Sequence, residues 1–171
     1  MRYVLALDEG TTSARAIVFD ETGKAVAVAS RPIDCRYPQE GWVEQDPRQI
    51  WEAQLGAAKE ALASAKAAAK DVAAIGITNQ RETTILWDRK TGQPVGPAIV
   101  WQDRRTASLC DELRAAGRET EVTRRTGLLL DPYFSGTKLK TLLDKAGRND
   151  NLAFGTVDCW LIWKQIGRAH V

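Results

Sequence analysis

Two apolar runs near the start of the chain, residues 3–7 and 14–19, bracket the segment Asp8-Glu9-Gly10-Thr11-Thr12-Ser13, and this arrangement constrains the fold more than any other stretch. Runs of this length read as buried strands, so the six residues between them must form a tight connection. Gly10 is expected to supply a positive φ in that turn. Successive turn N–H groups facing one concavity, joined by the hydroxyls of Thr11, Thr12 and Ser13, can cradle phosphate oxygens. Asp8, at the end of the first strand, is placed to hold a hydrated Mg²⁺ beside them. The same residues also make an ordinary hairpin, and the turn alone does not separate the two readings. No Walker lysine signature occurs, so the segment is not a P-loop.

A length of 171 residues suits one domain with a sizeable core. Apolar residues make up 44% and charged residues 27%, the balance of an ordinary globular protein. With a formal net charge of only +2 and scattered Lys and Arg, nothing indicates a nucleic-acid groove or binding to an anionic membrane. No run approaches the ~20 apolar residues of a membrane span, and Asp8 interrupts the first apolar run before it could act as a signal-peptide core. Cys35, Cys110 and Cys159 are far apart and lack Cys-x-x-Cys spacing, which predicts free structural thiols in a cytoplasmic protein. The single histidine, His170, argues against a Ser/His/Asp triad or a His-rich metal site. Chemistry must then rest on carboxylates, arginines, hydroxyls and an ion.

Residues 25–30 read as a third strand completing an antiparallel meander, and Asp46-Pro47-Arg48-Gln49 is a strong helix start. Trp51, Leu55, Ala58, Leu62, Ala65 and Ala69 recur at helical spacing, predicting a long amphipathic helix packed on the sheet. Strands are expected over residues 72–78, 84–88, 98–101 and 152–154. Helices are expected from Thr106 to Gly117, on to Gly127, from a Ser135 cap through Leu139, Leu142 and Leu143, and over residues 156–164. No repeat and no linker divides the chain.

The polar run Asn79-Gln80-Arg81-Glu82-Thr83 lies where a buried strand ends, a common place for ligands in α/β sheets. Arg81 offers a fork of donors and Glu82 a carboxylate that can accept from two neighbouring hydroxyls, a pairing suited to a small polyol. On a solvated loop the same residues would be a plain ion pair. Trp101 and Tyr133 stand beside polar turns, outside periodic stripes. Their faces could stack on the CH side of a polyol, or they could simply pack a core.

Taken together, Asp8 to Ser13 with Arg15, Gly41-Trp42-Val43-Glu44, the run from Ile75 to Thr84, Trp101-Gln102-Asp103-Arg104-Arg105-Thr106, the run from Asp131 to Lys138, and Phe154-Gly155-Thr156-Val157-Asp158 resemble the glycerol kinases of the FGGY carbohydrate kinase family. The match runs in order along almost the whole chain. It implies an α/β, actin-like or ribonuclease-H-like domain with a mixed sheet and flanking helices, and ATP-dependent phosphorylation of glycerol to sn-glycerol 3-phosphate. By the same resemblance Thr11, Thr12, Ser13 and Arg15 would meet ATP phosphates, with Asp8 near Mg²⁺. Arg81, Glu82, Trp101 and Tyr133 would bind glycerol. The partners expected are glycerol and ATP or ADP, with no nucleic acid and no membrane insertion, and the full-length protein is expected to be a homo-oligomer.

Two departures stand out: Glu9 where family members commonly have Gln, and Cys159 where they have Thr. Both read as variation away from the transferred group. Residues 1–165 are expected to be an incomplete N-terminal kinase domain and residues 166–171 a truncated or foreign tail. The second actin-like domain, which carries the catalytic base in the family, is not encoded here, so the fragment is expected to be inactive alone. Two other readings stay open, a kinase for another polyol or sugar and a non-catalytic polyol- or nucleotide-binding module.

Overall fold

A computed structural model describes residues 2–147 and 149–166. The chain folds into two compact units, Met1–Cys35 with Gln45–Gln80 and Val157–Val171, and Arg36–Glu44 with Arg81–Thr156. The chain passes between them four times, after residues 35, 44, 80 and 156. One domain with a sizeable core was expected, and the chain divides into two compact units.

The first unit is built on a four-stranded sheet in the order β3-β2-β1-β5. Strands β1 (Tyr3–Glu9), β2 (Ser13–Phe19) and β3 (Ala25–Pro32) form the anticipated antiparallel meander. Strand β5 (Val72–Asn79) lies parallel to β1, and a parallel neighbour requires a crossover, supplied by α1 (Pro47–Ser64). Leu5, Leu7, Ala16, Val18 and Ala29 face Ala57, Ala58 and Ala61 of α1, whose small side chains let the helix sit close to the sheet. The buried stripe of α1 runs through Ile50, Ala53, Gln54, Ala57, Ala58 and Ala61, rotated from the expected one. Of the expected positions only Ala58 is fully buried; Trp51, Leu55, Leu62 and Ala65 sit at its margin, and Ala69 falls beyond the helix in a 3-10 turn. Asp46 caps α1 by accepting from the Arg48 amide at 2.9 Å. Gln49 does not complete a capping box; its amide bonds Asp34 at 2.8 Å instead. Helix α5 (Val157–Ile166) joins this unit through the Trp160 indole N–H, which donates to the Pro47 carbonyl at 2.8 Å.

In the second unit β6 (Ile85–Asp88) pairs antiparallel with β8 (Leu152–Gly155). Leu86, Ile99 of β7 (Ala98–Ile99) and Leu142 of α4 (Ser135–Ala146) make its core, flanked by Leu139, Leu143 and Leu152. Helices α2 (Ala107–Ala115) and α3 (Glu119–Thr126) follow, the second ending at Gly127 with φ 73°, a left-handed helix stop. The two-residue strand β4 (Glu44–Gln45) marks one passage between the units. Cys35, Cys110 and Cys159 are free thiols, as expected. His170 and residues 167–171 of the tail lie outside the described residues.

Candidate active site

Asp8, Thr11, Thr12, Ser13 and Arg15 all lie on the β1–β2 hairpin of the first unit. Gly10 does not take a positive φ, contrary to expectation. A Cβ at that position would approach the Ser13 carbonyl oxygen at 3.2 Å, a tight contact, so glycine here eases a close approach and does not serve a left-handed turn. The Gly10 amide donates to that same oxygen at 2.9 Å. Protein donors also engage the four preceding carbonyls. The Gln80 amide donates to the Glu9 oxygen at 2.6 Å, and the Ile33 amide to the Thr12 oxygen at 2.9 Å. Side chains hold the other two: Gln80 Nε2 donates to the Gly10 oxygen at 3.3 Å and Gln45 Nε2 to the Thr11 oxygen at 2.6 Å. Gln80 Nε2 also donates to Gln45 Oε1 at 2.8 Å, tying the two amides together. Five consecutive carbonyl dipoles are thus satisfied by the protein, leaving the hairpin suited to an anion.

Asp8 and Arg15 are cross-strand partners whose side chains, about half exposed, approach to 3.8 Å. Such a pair is weak in water and free to exchange for a ligand. Among the described residues no group of three or more His, Cys, Asp or Glu could hold a metal unaided. A lone carboxylate beside a hairpin suited to an anion nevertheless fits Mg²⁺, which binds through one or two carboxylates together with phosphates and water. The next residue behaves oppositely because strand side chains alternate in direction. Glu9 points into the core with Leu5 and Leu7, fully buried, and neither carboxylate oxygen has a hydrogen-bond partner. Burial, reinforced by the Asp8 charge, pushes its pKa up to about 8, so it is protonated at neutral pH.

Arg81, Glu82, Trp101 and Tyr133 fall in the second unit. Glu82 adopts φ 65°, a left-handed conformation uncommon for a residue with a side chain. Its Oε2 accepts from the Ser135 amide at 2.9 Å and the Ser135 hydroxyl at 2.7 Å. Ser135 is therefore not the cap of α4. The Glu82 carboxylate occupies that helix N-terminus, where the helix dipole favours negative charge. The Glu82 carbonyl accepts from Lys138 Nζ at 3.2 Å and from Thr84 Oγ1 at 3.2 Å. Lys138 also donates to the Tyr133 carbonyl. This lysine is fully buried, and desolvation brings its pKa down to about 8 despite the opposing pull of Glu82.

Trp101 and Tyr133 meet edge to face with ring centroids 6.0 Å apart, and Phe134 packs against Tyr133 at 5.1 Å. The Trp101 amide donates to Thr83 Oγ1 at 3.2 Å. Beyond Trp101, the Arg105 guanidinium grips Asp103 at 2.8 Å, reaches Glu44 at 2.9 Å, and lies 3.8 Å from the centre of the Trp42 ring. Asp103 in turn accepts from the Val43 amide at 2.6 Å. Arg81 is exposed and makes no hydrogen bond or ion pair among the described residues.

Sequence reasoning assigned no role to Gln45, Gln80 or Lys138, and gave Ser135 only that of a helix cap. A signal existed for Lys138: it precedes Leu142 by four residues and so shares the buried face of α4.

The family model described as the FGGY family of carbohydrate kinases, N-terminal domain, matches residues 3–171. The chain belongs to this family. The FGGY chain is 57% identical over 173 residues to a glycerol kinase of Polaromonas naphthalenivorans (strain CJ2), a match spanning 98% of this chain and 35% of that protein. It thus covers about a third of the length of its curated relatives. Among solved structures it resembles the Plasmodium falciparum glycerol kinase with ADP, at TM-score 0.87 and 30% identity over 95% of this chain and 34% of that one. A xylulose kinase from Lactobacillus acidophilus matches with TM-score 0.87 over 98% of this chain and 34% of its own, at 22% identity, a likeness of fold alone. The mixed sheet with flanking helices is the FGGY kinase fold, as expected of an actin-like domain. Among the described residues no helix is long and apolar enough to cross a membrane.

Proposed function

We propose that this FGGY domain is the N-terminal part of a glycerol kinase that transfers the γ-phosphoryl group of ATP to glycerol, giving sn-glycerol 3-phosphate and ADP in the cytoplasm. The observation that carries the reading is the 57% identity to a glycerol kinase across 98% of the chain. Phosphoryl transfer rests mainly on positioning and on stabilising charge. In this reading Thr11, Thr12, Ser13 and Arg15 hold ATP phosphates. The engaged carbonyls of the hairpin support this, because they keep acceptor dipoles from competing with the anion. Asp8 holds Mg²⁺, which when bound screens phosphate charge.

Glu82 receives glycerol hydroxyls on the carboxylate oxygen that Ser135 leaves free, and Arg81 donates to the same polyol. Trp101 and Tyr133 offer an aromatic corner to its carbon face. No residue of this chain is assigned as the base for the reacting hydroxyl; the base is expected from the part of the relatives' length that the chain does not span.

The test is an assay of the complete open reading frame for ATP consumption in the presence of glycerol, xylulose or gluconate. The expected result is glycerol-dependent ADP release with glycerol 3-phosphate as product. Preference for a sugar, or no turnover with any acceptor, overturns the proposal. The 171-residue chain by itself is expected to turn over nothing.

A further inference from the structure

Lys138 is the one fully buried lysine among the described residues, and it forms no ion pair with a carboxylate. Desolvating an ammonium is unfavourable, and a leucine or methionine at this position would extend the apolar face that Leu142 already presents. Its donors go to two main-chain oxygens, those of Glu82 and Tyr133, which belong to distant segments of the sequence. Its Nζ also lies 5.9 Å from the centre of the Tyr133 ring. Both residues are candidate polyol ligands, and one of them has a left-handed backbone that must be held in place.

We propose that Lys138 is a positioning residue that sets the polyol-binding geometry by locking Glu82 and Tyr133 to the buried face of α4. The assignment rests on the glycerol-kinase reading and deepens it. Lys138 and Thr84 fix the Glu82 carbonyl, while Ser135 takes Oε2 with both its amide and its hydroxyl. Held at both ends, Glu82 has its Oε1 without a protein partner among the described residues. That atom is the acceptor for a substrate hydroxyl, and its position is decided by contacts that never touch substrate. Through the Tyr133 carbonyl the same ammonium aligns the aromatic wall with the carboxylate. A small polyol needs both in register, since it offers hydroxyls on one edge and CH groups beside them.

The test uses the full-length enzyme with Lys138→Met, which keeps the side-chain volume and removes the donors. The expected result is a glycerol KM raised about tenfold or more, with the ATP KM within about twofold of wild type. A lysine that merely supports the fold would move both constants together and lower the melting temperature, and that result overturns the proposal, as does an unchanged glycerol KM. Should the variant fail to fold, reductive methylation of the wild type decides. Saturating glycerol, but not ATP, is expected to slow labelling of Lys138 as read by mass spectrometry. Equal labelling with and without glycerol overturns the proposal. A wild type that turns over ATP with glycerol, alongside a negative result in these tests, sinks the Lys138 assignment alone. A wild type without glycerol-dependent turnover sinks the function reading and the assignment with it.

Discussion

Replacing Glu9 with Gln should remove a pH-dependent weakness from the first unit. The folded chain holds this carboxyl fully buried with no hydrogen-bond partner, and its pKa rises from 4.5 to about 8. The folded state therefore binds the proton more tightly than the unfolded chain does. Any stability linked to Glu9 is fully present below pH 4.5 and is lost as pH climbs through about 8. At about 1.4 kcal/mol per pH unit, the gap amounts to roughly 5 kcal/mol over the whole interval and roughly 3 kcal/mol by pH 7. Glu9→Gln keeps the shape and cannot ionise. Urea denaturation followed by circular dichroism at pH 5, 7 and 8.5 should show the wild type losing stability progressively. The variant should hold nearly level and exceed the wild type by about 2 kcal/mol or more at pH 8.5. Parallel curves for the two proteins would refute the reasoning, because the proton would then not reside on Glu9.

Three further substitutions probe the rest of the site. Gln80→Leu withdraws the donors from the Gly10 carbonyl and from Gln45, so nucleotide affinity of the full-length protein should fall by about 1–2 kcal/mol in calorimetry with ADP, and an unchanged affinity would count against the hairpin as a phosphate site. Glu82→Ala should weaken glycerol binding by about 1–3 kcal/mol, read as a higher glycerol KM; no change would remove Glu82 from the ligand set. Arg105→Met leaves the buried Asp103 carboxylate without its ion partner and should destabilise the protein by about 3 kcal/mol or more, measured by chemical denaturation. A loss below about 1 kcal/mol would mean the pair behaves like a surface contact.

Much of the first unit was legible because its signals are local. Apolar runs and turn residues predicted the meander, Asp46 and Pro47 marked the start of α1, and both features appear where expected. Gly10 was assigned the wrong constraint, because a close approach to Ser13 and a positive φ leave the same mark in a sequence. Ser135 likewise looked like a cap because serine before an apolar stripe usually is one. Its true partner is a carboxylate 53 positions away, beyond the reach of any local rule.

Sequence by itself determined most of the strand and helix inventory, the family resemblance, and the residue types proposed for phosphate and polyol, since each follows from short spacings and intrinsic backbone preference. Tertiary structure alone decided that neighbouring carboxylates at Asp8 and Glu9 have opposite fates, one half exposed and the other neutral in the core. It alone divided the chain into two compact units, and brought Lys138 and Ser135 onto Glu82. The physical reason is the same in each case. Burial and hydrogen-bond satisfaction depend on which distant segments share a space, and a group's charge state and orientation follow from them.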